Sequence, residues 1–256
     1  MPKTPSQHRF VQTVLTGRAK FIAPAQRLFF SALQAQINPV AKKLITHYQA
    51  HSMDHLIKED ALVDGFKKVY SKVGNHFGRA IYDSLMATDK RLKDDDDDFD
   101  MDAAIEEFIK KQGGVMITAI TKATRERVRD YIAEAIKNGT GAAQLAADFK
   151  KDFSDFNRVR SMAIARTEVG RASNWASYEA GNMTGMELEK TWLHAGSSKD
   201  DRETHVAASG QTVAYEDTFE IDGSYAPMYP QDGSGDASEE VNCNCTFYQK
   251  RVGSKY

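Results

Sequence analysis

The sequence predicts an α+β protein, with a helical N-terminal region followed by a C-terminal domain that carries long helices and a small β-sheet. Three observations carry that prediction. From Pro24 to about Ala180, apolar residues recur three, four and seven positions apart, as on one face of a helix. After Gly181 and Gly185 the period falls toward two, and short strand-like runs alternate with turns rich in Gly, Ser and Asp. Between the two helical stretches lies the acidic run Asp94 to Asp98, where like charges repel and resist burial. These signals divide the chain into a helical region 1–93, an acidic linker 94–101 and a C-terminal domain 102–256.

Composition narrows the class. With 256 residues the chain can form one large or two small domains, and 41% hydrophobic content is enough for a sizeable core. A net charge of −2 provides no global positive field toward nucleic acid or membrane. No run of about 18 apolar residues exists, so no transmembrane helix is expected. No apolar segment follows Met1-Pro2-Lys3-Thr4, so no secretory leader is expected. The two cysteines are spaced Cys-x-Cys. In a strand they would project about 6 to 7 Å apart, a poor disulfide distance, which favours a reducing cytoplasm.

Residues 1–22 are basic and lack a clear repeat, so a flexible arm or docking segment is expected there. A helix follows from Pro24, with Leu28, Ala32 and Ala35 in phase, and Asn38-Pro39 is expected to break it. His47, His51 and His55 share a helix face, but the bland reading of a solvated polar stripe outweighs metal binding. Leu62, Phe66, Val69, Tyr70, Val73, Phe77, Ile81 and Leu85 form the next stripe, with a helix end expected at Gly74-Asn75.

Asp100 to Asp102 can cap a helix from Ala103 to Lys111, which Gly113-Gly114 should break. Val115 to Lys137 is the clearest helix: Ile117, Ile120, Thr124, Val128, Tyr131, Ile132, Ala135 and Ile136 fall on one side. Arg125, Arg127 and Arg129 decorate it and are candidate phosphate contacts, set against solvated helix faces. A short helix from Ala142 to Phe149 and a further one from Asn157 to about Ala180 are expected next. The latter is rich in small residues (Ala165, Gly170, Ala172, Ser173, Ala176), which permit close approach of another element. Strands are expected at Leu188–His194, Gln211–Tyr215 and Val241–Tyr248, with a short helix at Arg202–Ala208.

Chemistry-bearing residues gather toward the C-terminus. His205, Cys243 and Cys245 offer one imidazole and two thiolates, a set that zinc accepts, with Asp200 or His194 as a possible fourth ligand. Zinc more often takes Cys-x2-Cys, so two small packed cysteines and a hydrogen-bonded histidine is the plainer reading, and no cofactor is expected. His205 with Asp200 and Glu168 could also serve as an acid/base set for a metal-dependent hydrolase or nuclease. Walker-type glycine loops and Gly-x-Ser-x-Gly elbows are missing.

Ala165-Arg166-Thr167-Glu168, Trp192, Asp200-x-Arg202-x-x-His205, Gly210, Tyr229-Pro230 and Asn242-Cys243-x-Cys245 occur in that order. This succession resembles the phage head morphogenesis family, the minor head proteins similar to the F protein of phage Mu, over roughly Val115 to Tyr248. The resemblance implies a non-enzymatic virion component, present in the host cytoplasm during assembly. It implies partners among the portal protein and other head proteins, and a link to DNA packaging. It maps the family's recurrent positions onto Arg166, Glu168, Asp200, Arg202, His205, Cys243 and Cys245. The first five are read as a structural polar cluster that pins the sheet to the helix. Asn244 stands where relatives often carry Arg, which removes a positive charge from that loop. The rival readings are the hydrolase and a zinc-stabilised binding module.

Overall fold

Long helices followed by a small sheet make up the computed structural model of the chain, which describes residues 3–46, 53–88, 99–196 and 201–253. The α+β class is as predicted. Helices α1 (Pro5–Leu44), α2 (Asp60–Met86), α3 (Met101–Phe108), α4 (Gly114–Lys137) and α5 (Ala142–Met183) precede strand β1 (Leu188–Leu193). Helix α6 (Glu203–Ala207), β2 (Thr212–Ala214), α7 (Ala237–Glu240) and β3 (Thr246–Arg251) complete the order. The chain divides into two compact units, each discontinuous in sequence: Met1–Ala23, Val69–Glu106 and Arg166–Tyr256 form one, and Pro24–Lys68 with Glu107–Ala165 the other. His47, His51, Asp200 and the run Asp94 to Asp98 lie outside the described residues.

Among its described residues the second unit has helices and no strand. Ile37, Val40, Leu44, Met53, Ile57, Val128, Ile132, Leu145, Phe149 and Phe153 form its core. Phe149 and Phe153 stack with ring centroids 4.1 Å apart. The stripe expected on α4 is buried at Ile117, Thr124, Val128, Ile132 and Ala135, while Ile136 remains exposed. One polar pair interrupts this core: Gln36 donates to Thr121 Oγ1 at 3.0 Å and to the Lys58 carbonyl at 2.9 Å. That satisfies an amide that would otherwise be costly to bury.

Several expected interruptions are absent. Of the flexible arm or docking segment expected over residues 1–22, the structure has the docked form, helical from Pro5, because Val11, Val14 and Arg18 turn one face inward and are buried. Those three lie at i, i+3 and i+7, a helical signal diluted by polar neighbours. Pro24 and Pro39 both sit inside α1 without ending it. Gly74 does not end α2. A Cβ there would meet Ile105 Cδ1 at 3.1 Å, so this glycine allows α3 to approach. At Gly113-Gly114 a π-helical turn, Ile109–Gly113, leads straight into α4 instead of a break. No glycine or proline falls between Ala142 and Val169, and the two helices expected there are the single helix α5. Asp100 does cap α3, accepting from the Ala103 N–H at 3.0 Å.

In the first unit the sheet has the order β2-β1-β3, antiparallel throughout. Trp192 pairs with Phe247, and Thr191 with both Thr212 and Tyr248. As the central strand β1 is covered on both faces: Leu193 packs with Val11 and Ala195, and Leu188 with Leu85 and Tyr215. β3 begins later than expected. Asn242 adopts φ +57, a left-handed turn that keeps both cysteines in the loop ahead of the strand.

Candidate functional site

Of the described residues singled out in the sequence, Glu168 belongs to one constellation and His205, Cys243 and Cys245 to a second, and α7 serves both. Adjacent side chains of this short helix diverge: Glu239 reaches His205 and Glu240 reaches Arg171. Arg202 fixes the helix from outside, donating to the carbonyls of Ser238 and, at 2.9 Å, Val241.

The first constellation is a buried ionic network on α5. Arg171 donates to Glu168 Oε1 at 2.7 Å, to Glu240 Oε2, and through Nε to the Gln231 carbonyl at 3.1 Å. Tyr70 donates to the other oxygen of Glu168 at 2.9 Å. Glu240 Oε1 accepts from the backbone N–H groups of Gly233 and Gly235. The network thus ties α2, α5, the 231–235 loop and α7 together. Burial disfavours the Arg171 charge, but the Glu168 and Glu240 carboxylates outweigh it and hold the guanidinium protonated. Burial, then Glu168, pushes the Tyr70 phenol well up. All four carboxylate oxygens of Glu168 and Glu240 accept a hydrogen bond, which offsets the desolvation of the buried charges, whereas a bare surface pair contributes only a few tenths of a kcal/mol.

Arg166 takes no part in that network. It is exposed, and the guanidinium inside belongs to Arg171, more than one turn further along α5. A helix turns about 100° per residue, so a five-residue step swings a side chain by well over a right angle. Sequence spacing could not say which arginine faced inward.

The second constellation surrounds His205, which is 1% exposed. Its Nε2 lies 2.8 Å from Glu239 Oε2. Its Nδ1 lies 3.5 Å from Cys243 Sγ and 3.6 Å from Cys245 Sγ. One ligand atom from each of the three residues lies within 4.8 Å of the others. Trp192 meets the imidazole edge-on at 5.4 Å, and Tyr225 stacks on it at 6.0 Å. Both cysteines are free thiols. Neighbouring Cys245, followed by His205, holds Cys243 well below the usual thiol range, and the Cys243 sulfur in turn pushes Cys245 up. Burial lowers the His205 pKa, but Cys243 and Glu239 raise it more. His194 stands at the rim of this pocket with its Nε2 3.2 Å from Asp201.

A buried cation underlies the cysteine loop, and sequence reasoning missed it. Arg18 donates to Ser173 Oγ at 2.7 Å, Asn174 Oδ1 at 2.6 Å, and the carbonyls of Asn244 at 3.0 Å and Cys245 at 3.3 Å. Burial lowers its pKa to about 10, against the pull of the two cysteine sulfurs. Asn174 also donates to the Pro230 and Cys245 carbonyls, so the loop is held from two sides.

The candidate DNA-contact arginines of α4 have different fates. Arg125 donates to the Ile57 carbonyl at 2.9 Å, and Arg129 pairs with Asp54 through both nitrogens of one edge. Arg127 is exposed, with its guanidinium 5.7 Å from the Phe156 ring centre.

Comparison with known proteins agrees with this geography. Residues 126–248 match the family described as Phage Mu protein F like protein. A stretch of 126 residues is 34% identical to the uncharacterized protein YqbB of Bacillus subtilis (strain 168), covering 48% of this chain and 41% of that protein. The match therefore spans less than half of the relative's length. No solved structure matches. The segment that carries Glu168, Arg171, Arg202, His205, Cys243 and Cys245 is thus the part of the chain that is similar to the Phage Mu protein F like proteins.

Proposed function

We propose that this chain is a minor head protein that acts in capsid assembly at the portal, as a structural component rather than an enzyme. The family match over residues 126–248 carries the reading. The site chemistry supports it. Both ring nitrogens of His205 are engaged, one by Glu239 and one by the cysteine sulfurs, so neither is presented to a substrate. The Glu168–Arg171–Glu240 network is buried and internally satisfied, as suits a part that must hold its shape under assembly forces.

The proposed location is the virion, with assembly in the host cytoplasm. No described helix is long and apolar enough to cross a membrane. Non-specific contact with packaged DNA is a further part of the proposal and rests on Arg127, since Arg125 and Arg129 are committed to Ile57 and Asp54.

Co-expression with the portal protein encoded in the same genome tests the central claim. The chain should co-elute with the portal ring, and particles assembled without it should fail to mature. Normal particles lacking the chain, with no portal association, would overturn the proposal. Gel shifts at about 50 and 200 mM salt test the DNA part, because phosphate contacts weaken steeply over that range. Absence of binding at the lower salt removes it.

A further inference from the structure

We infer that His205, Cys243 and Cys245 form a structural zinc site that locks the cysteine loop to α6, with Glu239 orienting the histidine. The distances carry the argument. With zinc about 2.3 Å from sulfur and 2.0–2.1 Å from nitrogen, a tetrahedral site places nitrogen and sulfur about 3.5 Å apart. The observed Nδ1 to Sγ separations are 3.5 and 3.6 Å. Three ligands from two distant parts of the chain thus already stand at the spacing a bound ion requires.

The surroundings agree independently. A metal-bound histidine donates its other ring N–H to a carboxylate or carbonyl, which fixes the tautomer. Glu239 Oε2, at 2.8 Å from Nε2, is placed for that role. Nδ1 then turns a lone pair toward the sulfurs. Both cysteines are buried in a loop held by Arg18 and Asn174, so the sulfurs are positioned before any ion arrives. Arg18 also offsets the negative charge that two thiolates bring into the interior. On binding, each thiol releases its proton to solvent and donates a sulfur lone pair to the ion, while neutral His205 donates through Nδ1. The fourth position opens on the pocket lined by His194, Asp201 and Asn244, where a water or one of those side chains completes the shell.

The full chain, purified with reductant, loaded with zinc sulfate and desalted, is to be assayed for metal by mass spectrometry. About one zinc per chain is expected, and cobalt loading should give the visible bands of a tetrahedral thiolate site. Below about a tenth of an equivalent after loading, or with Cys243 and Cys245 joined as a disulfide under reductant, the inference fails. Ligand variants such as Cys243→Ser can misfold, so the decisive variant is Glu239→Gln, whose side chain lies at the edge of the site. It should keep its circular dichroism spectrum yet bind zinc about 10–100-fold more weakly. Unchanged zinc affinity in Glu239→Gln would overturn the orienting role. These measurements use the isolated chain, so their outcome is independent of portal association.

Discussion

Arg166 and Arg171 share a helix and a side-chain type, yet one is at the surface and the other holds two buried carboxylates. Arg171→Ala strands Glu168 and Glu240 in the interior and should cost about 3–5 kcal/mol. Arg166→Ala should stay within about 0.5 kcal/mol of the parent. Chemical denaturation of the two variants separates them, and equal effects would refute the assigned roles. Lys190 is a second residue governed by its surroundings. Fully buried on β1, it donates to the Tyr215 carbonyl at 2.7 Å and lies about 5 Å from the rings of Tyr178, Tyr215 and Phe219. Burial lowers its pKa from 10.5 to about 8, against the pull of Asp217, Asp232 and Glu216. Between those values the unfolded chain holds the proton that the folded chain releases, so this residue makes stability rise with pH across that window. Lys190→Met removes the titration. From about pH 7.5 to 10.5 the parent should gain on the order of 1–3 kcal/mol relative to the variant, the ring contacts absorbing part of the burial cost. Parallel stability curves would contradict this.

At the scale of elements, small residues on α5 set how closely the C-terminal strands and loops approach. A Cβ on Gly181 would lie 2.1 Å from the Tyr215 hydroxyl, which itself donates to the Tyr178 carbonyl at 2.6 Å. A Cβ on Gly170 would lie 2.4 Å from Gln231 Oε1. Alanine usually favours a helix interior over glycine by about 1 kcal/mol, but here the clash opposes that gain. Gly181→Ala is expected to destabilise by about 1–3 kcal/mol, because Tyr215 is wedged between α5 and Gln249 and has nowhere to move. A thermal melt that rises in Gly181→Ala would show that this packing is loose. The small-residue pattern of this helix was legible in the sequence, whereas its partner was not. No local signal connects position 181 to a tyrosine 34 residues later.

At the scale of the whole molecule, the first twenty-odd residues belong to the unit that holds the sheet. Val11 packs with Leu193 and Ala195, Phe10 meets Tyr248 edge-on at 5.4 Å, and Arg18 braces the cysteine loop. Deleting residues 1–22 exposes the apolar surface covered by Val11 and Val14. That alone should remove about 3 kcal/mol or more, at roughly 1.5 kcal/mol per valine. Urea unfolding of the truncated chain should show a lower midpoint and faster proteolysis near the cysteine loop. An unchanged midpoint would favour the flexible arm over the docking segment.

The sequence by itself determined the class of fold, the family resemblance of its C-terminal half, the helical stripe of α4 and the approximate places of the three described strands. Those features are written in local periodicity and in ordered motifs, which need no knowledge of distant partners. It also brought His205, Cys243 and Cys245 forward as residues of one chemistry. Only the tertiary structure decided that α1 and α5 run uninterrupted, that Arg171 rather than Arg166 is buried, and that Arg18, Glu239 and Glu240 complete the two constellations. The physical reason is that burial, more than spacing, sets the value of a charge or a breaker residue. Prolines, glycines and arginines take their roles from what packs against them, and those contacts join residues that lie as far as 227 positions apart along the chain.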